Sequence, residues 1–196
     1  STDNGSGRNW DGSSSNWGAG NGANIDQIKT MTKAEFATVL EQEARIEAAS
    51  QKIKVTGAVN VPKDCCDVDE AMEVVAFVNM RRNFMDGKSV TILLGKGEHQ
   101  IRGDSLKIYF AINIVGRPEV PKEKIVVVGG IEFKYGIQGN SHLQHLTLRQ
   151  AEFNGVEGES SFTMEDVLVE QCGWSGVCAR GTDVVGRCTN VEVRQC

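Results

Sequence analysis

The sequence has no excess of positive charge: 21 lysines and arginines stand against 26 aspartates and glutamates, a formal net charge of -5. A nucleic acid or an anionic membrane surface is met by a basic patch or stripe, and this balance supplies none. The sequence also lacks a long apolar run. None approaches the roughly 18 residues that a membrane-spanning helix needs, and no charged-then-apolar leader opens the chain, which is therefore expected to be soluble. Cysteine occurs six times, but not at the spacing of a zinc ribbon or a small disulfide scaffold. There is no phosphate-cradling glycine loop, no nucleophile elbow and no His-Cys metal spacing. No cofactor is implied, and no residue is singled out as catalytic or metal-ligating.

What is present is repetition. Leu146, Thr147, Leu148, Arg149 and Gln150 recur as Val167, Leu168, Val169, Glu170 and Gln171, and again as Val191, Glu192, Val193, Arg194 and Gln195. The copies are offset by 21 and 24 residues, a period that marks stacked supersecondary units. A second phrase runs between them: Gly136 to Gly139, then Gly155 to Gly158, then Gly176 to Ala179. Two or three short strands per period, separated by glycine, make a right-handed parallel β-helix. Coils about 4.8 Å apart put equivalent residues directly above one another. Leu148, Val169 and Val193 are then expected to point inward as an aliphatic file. Gln150, Gln171 and Gln195 are expected to form an amide ladder, and Arg149, Glu170 and Arg194 to alternate in sign up the stack. Such ladders hold coils in register, so function is sought elsewhere.

Other segments extend the pattern downward. Val55 to Val61 reads as a first strand. Asp67 and Glu70 form a capping box opening a helix to about Arg82, with Val68, Ala71, Met72, Val75 and Val78 on its apolar face. Val90 to Leu94, Gly95 and the extended stretch to His99 follow. This order of short strand, bottom-capping helix, strand and glycine resembles the entry of the pectin-lyase-like superfold, over roughly residues 55 to 196. Leu94 with Gly95 recurs 21 residues later as Val115 with Gly116, which makes Thr91 to Leu94 and Ile112 to Val115 successive rungs. An excursion around Arg117 to Lys124, carrying Pro118 and Pro121, then leaves the sheet before Ile125 to Val128 returns to it.

Three regions result: a flexible Gly/Ser/Asn-rich arm over 1–24, an amino-terminal helical segment over 25–54, and the β-helix over 55–196. The arm's composition cannot bury enough surface to fold alone, yet Trp10 and Trp17 interrupt it in matching Asn-Trp contexts, which makes them candidate anchors to a protein partner or to the chain's own β-helix, an inert tail being the alternative. Thr32 and Glu35 form a capping box for a helix to about Lys52. Its thin stripe of Phe36, Val39, Leu40, Ile46 and Ile53 is suited to docking on the β-helix or to binding a partner. Ser1 stands where an initiator methionine is expected, consistent with a removed presequence, and hence an organelle or secretion, or with a fragment. Cys196 closes a strand phrase with no capping element, so the β-helix is expected to continue or to be covered by a partner.

The resemblance implies a polysaccharide-active enzyme only where particular residues are found. The adjacent aspartate pair and Gly-His-Gly segment of polygalacturonase-like chains are missing. So are the aspartate-arginine set of pectinesterase-like chains and the calcium-binding cluster of pectate-lyase-like chains. The local candidate is His145, expected beneath Asp166 and Asn190 on successive coils, where a carboxylate raises an imidazole pKa. Glu157, Glu159, Glu165 and Asp166 concentrate acid that a hard cation could use; solvated carboxylates are the default reading. Cys172 and Cys196 occupy equivalent positions and are expected to stack as reduced thiols, since in-register side chains give a poor disulfide torsion. The sequence therefore reads as a binding or scaffold β-helix, an accessory subunit of a larger assembly. A carbohydrate-active enzyme or its truncated relative is the alternative.

Overall fold

Alternating apolar and polar residues bury one face of a strand, and a second strand of the same pattern can stack on it only if the chain returns about one coil later. The computed structural model, which describes residues 32–81 and 89–196, is a parallel β-solenoid of about four turns with two helices at its amino-terminal side. Three sheet faces run along it, and every strand pairing is parallel.

The first face stacks β1 (Ala58–Val61), β2 (Val90–Leu94), β4 (Ile112–Gly116), the opening halves of β6 (Ser141–Arg149) and β8 (Phe162–Glu170), and β10 (Gly186–Thr189). The second takes the opening halves of β3 (Gly97–Ile108) and β5 (Ile125–Phe133), the closing halves of β6 and β8, and β11 (Glu192–Arg194). The third takes the closing halves of β3 and β5, then β7 (Val156–Gly158) and β9 (Val177–Ala179). Ile92, Ile114, Leu143 and Met164 are aligned and buried along the first face, as are Val127, Leu148 and Val169 along the second. Phe133 of the third face stacks on Phe162 of the first at 5.4 Å, and Gly158 leaves the room for it.

The repeat alignment holds: Leu148 pairs with Val169, and Val169 with Val193. Val193 is nonetheless 49% exposed, because no rung among the described residues lies on its far side. The glycine phrase needs correction. The residues aligned with Val156 and Val177 are Ile131, not Ile137, so the file is Gly130, Gly155 and Gly176. Close approach selects that file: a Cβ on Gly155 would lie 2.4 Å from Val169 Cγ1, and one on Gly176 2.3 Å from Val193 Cγ1. Gly136, by contrast, sits in a turn with φ +88° and open space around it. The lower register also shifts by one, since Leu94 pairs with Gly116 rather than Val115.

The glutamine file is real, but its amides are not what joins it. Gln150, Gln171 and Gln195 have φ of 56°, 58° and 54° and turn the chain from the second face toward the third. Their backbones connect the coils, Gln150 N donating to Glu170 O and Gln171 N to Arg194 O, while no amide bonds another amide. In the charge file Arg149 Nε donates to Glu170 Oε1 at 2.7 Å, but Arg194 bonds Glu192 on its own strand instead.

The chain divides into two units, 1–40 and 41–196. The helix α1 (Lys33–Thr56) overruns its expected end at Lys52, so the first strand begins at Ala58 rather than Val55. In the first unit the Thr32–Glu35 box forms, and Phe36, Val39 and Leu40 are exposed. In the second, Ala49 and Ile53 join the core, and α2 (Val68–Arg81) adds Val68, Ala71, Met72, Val75 and Val78. Asp67 caps α2, its Oδ1 accepting from Glu70 N at 2.7 Å, while Glu70 reaches back to Cys66 N. Among the described residues no helix is long and apolar enough to cross a membrane.

Two substitutions separate these roles. Gly155→Ala is expected to cost about 1–3 kcal/mol in urea unfolding through overpacking against Val169 and Cys172. Gln171→Gly is expected to leave stability unchanged or raise it by up to about 1 kcal/mol, since it relieves a left-handed conformation and removes no side-chain bond. A clear loss would show that the amides contribute after all.

Candidate functional site

The excursion over 117–124 forms a strap, ending in a 3-10 turn (Lys122–Lys124), that packs on β5, β6 and β8. Alternation turns Val126, Thr147 and Leu168 outward on the second face, yet they are only 4%, 0% and 5% exposed because the strap covers them. Thr147 Oγ1 donates to Lys122 O at 3.0 Å, and Arg117 reaches Asn60 Oδ1 at 2.8 Å.

His145, Asp166 and Asn190 stack on successive coils as expected, at φ of 54°, 52° and 51°. One residue at each position turns the chain from the first face to the second. The strap closes on this stack. Asp166 Oδ1 accepts from Lys122 Nζ at 2.6 Å and from Asn190 Nδ2 at 2.8 Å, while Oδ2 faces His145 Nδ1 at 2.7 Å. His145 Nε2 lies 2.8 Å from Val120 O. Both ring nitrogens thus face acceptors, which is the arrangement of an imidazolium donating twice. Partial burial works against that charge, but the bonds to Asp166 and Val120 outweigh it and hold the His145 pKa above 6.5. The Lys122 ammonium, then the His145 ring, hold Asp166 below 3.8 against its burial.

The other acids do not converge. Glu157 takes Asn154 at 2.6 Å and Arg180 at 3.0 Å, Glu159 takes Lys134 at 2.7 Å, and Glu165 is exposed on the first face. Among the described residues no three His, Cys, Asp or Glu side chains are grouped so as to hold a metal ion. All six cysteines are free thiols. Burial, then contact with Cys196, pushes the Cys172 thiol up to about 12, as expected of a stacked reduced pair.

Two features were not anticipated. A groove of about 770 Å³ opens where the third face turns back to the first, with Tyr135 and Ile137 on one wall, Arg180, Thr182 and Asp183 on the other, and Ser160 between. At the opposite edge of the third face, Phe153 and Trp174 make an edge-to-face pair at 5.0 Å on adjacent coils. Their 21-residue separation equals that of Leu148 and Val169, a signal present in the sequence. The groove had no such signal, because its walls are loops of unequal length. Trp10 and Trp17 lie outside the described residues. No family model, no curated protein and no solved structure matches the chain.

The clasp makes a signed pH prediction. A raised histidine pKa contributes stability fully below pH 6.5 and loses it as pH rises through the raised value. The lowered aspartate pKa contributes above pH 3.8 and is lost as pH falls through the lowered value. His145→Gln is therefore expected to cost on the order of 1 kcal/mol between pH 3.8 and 6.5, and progressively less above it, in melting curves taken across pH.

Proposed function

We propose that the chain is a non-catalytic binding or scaffold β-solenoid, acting as an accessory component of a larger assembly. One observation carries this reading. The histidine-carboxylate couple best placed for acid-base work has its bonding capacity taken up by the strap and the next coil: both His145 nitrogens and both Asp166 oxygens are engaged. A general base must be free to reach a substrate proton, and both ring nitrogens of His145 already have partners. The remaining carboxylates of the third face are paired with Lys134 and Arg180. The stack instead supplies rigid, closely spaced surface, which suits presenting contacts to a partner.

A second reading, a carbohydrate-active solenoid of pectin-lyase-like ancestry, is favoured by the groove. Its volume lies in the range of ligand sites, and Tyr135, Arg180, Thr182 and Asp183 offer an aromatic ring and polar groups to a saccharide.

The two readings part on activity. With acidic and neutral polysaccharides as substrates, no new reducing ends or unsaturated products are expected. Cleavage that disappears in a folded His145→Ala variant would replace the first reading with the second. The arm enters the proposal through Trp10 and Trp17 as partner anchors. Alanine at either is expected to weaken capture of partners from the native source by on the order of 2 kcal/mol, and the double change nearly to abolish it. Equal capture by a chain lacking residues 1–24 would remove the arm from the proposal.

A further inference from the structure

Leu94 pairs with Gly116 and Gly97 with Ile125, so one corner of the stack is turned by Gly95 and Lys96 on one coil and by the whole strap, 117–124, on the next. The surplus chain is not part of the ladder. Arg117 N donates to Leu94 O at 2.9 Å and fixes the strap's root. Beyond it the main-chain bonds stay within the strap: Val120 N donates to Arg117 O at 3.1 Å and Lys124 N to Pro121 O at 2.9 Å. Pro118 and Pro121 have no N–H to give. What holds the strap down on the second face is side-chain fastening, from His145 to Val120 O, from Thr147 to Lys122 O and from Lys122 to Asp166. These fastenings can part without breaking a rung.

One of them depends on a proton. The His145 ring faces Asp166 from β8, and Lys122 and the Val120 carbonyl from the strap. From the coil below, Gly116 brings no side chain, since a Cβ there would lie 1.9 Å from His145 O. From the coil above, Asn190 bonds Asp166 and Glu192 acts on Lys122. A neutral ring keeps a single N–H. The carboxylate is a stronger acceptor than the carbonyl, so that N–H stays at Nδ1 and Nε2 is left turning a lone pair toward Val120 O. Loss of the second proton thus cuts the tie to the strap and spares the tie between coils. We propose that residues 117–124 are a pH-operated cover, closed while His145 holds both protons and loosened when it loses one, which uncovers the row Val126, Thr147 and Leu168 with the β-solenoid intact. Partial burial favours the neutral ring, the bonds to Asp166 and Val120 favour the charged one, and the Lys122 ammonium opposes it; the balance holds the pKa above 6.5. Asp166, held below 3.8, stays charged across that range, so the cover is closed at lower pH and loosens as pH rises through the raised histidine value. This device operates whether the chain binds a partner or cleaves a saccharide.

Amide exchange followed by NMR on the full chain across pH, each rate divided by its intrinsic chemical rate, tests the cover directly. Protection of the Val120 and Lys124 amides is expected to fall about fivefold as pH rises, with a midpoint that matches the titration of the His145 ring signals. The ladder amides of Gly95 and Ile131, which donate to Val61 O and Gly155 O, are expected to hold their protection over the same range. In His145→Gln the strap amides are expected to lose their pH dependence; in Lys122→Gln they are expected to be less protected at every pH and to keep it. Strap protection that does not change with pH in the unaltered chain would overturn the proposal. So would a midpoint away from that of the His145 ring, or a loss that Gly95 and Ile131 share, which would mark loosening of the whole stack rather than of the strap.

Discussion

Each coil of this protein must return to a position about 4.8 Å above the one before it, facing the same way, because its backbone hydrogen bonds run to neighbouring coils. That requirement explains the residues that look least alike in chemistry. His145, Asp166 and Asn190 share a left-handed conformation at one corner, and the three glutamines share it at the next. Gly130, Gly155 and Gly176 occupy the places where one coil leaves no room for a side chain from another. Corner geometry, rather than side-chain bonding, is what keeps the glutamines in file. The aliphatic residues inside then fill a space whose shape the backbone has already set.

The strap is the one large departure from this regularity, and it explains the electrostatics around it. An eight-residue insertion between β4 and β5 lies across the second face and removes Val126, Thr147 and Leu168 from water. Holding it there brings a lysine and a main-chain carbonyl onto a histidine and an aspartate that the corners had already stacked. In the order Lys122, Asp166, His145 the carboxylate sits between the two groups that it bonds. A group committed to fastening the strap is poorly available for proton transfer.

Much of the fold is legible in the sequence because the repeat is local and periodic. Leu148 with Val169, Asp166 above His145, the two capping boxes and the excursion containing Pro118 and Pro121 all follow from spacing and residue type. Legibility fails where the period breaks. Gly136 to Gly139 matches the glycine phrase in letters but lies in a turn: Val128 pairs with Arg149 at an offset of 21 and Ile131 with Val156 at 25, because the lower coil turns that corner with fewer residues, and the true counterpart is Gly130. The first rungs slip by one residue because Leu94 and Gly116 are 22 apart rather than 21, and nothing in Leu94-Gly95 distinguishes a partner at Val115 from one at Gly116.

The sequence by itself determined that this is a stacked parallel β architecture, because a 21-residue period of alternating strands has few other ways to bury its apolar residues. It also determined which residues share a corner, because equivalent positions in a stack are equivalent in count. Only the tertiary structure decided what those corners do. The bond from Val120 O to His145 joins a main-chain group to a side chain 25 residues away, and no residue letter encodes a carbonyl's direction. The Phe153–Trp174 edge and the groove beside Tyr135 likewise exist only once separate loops are brought to the same side of the stack.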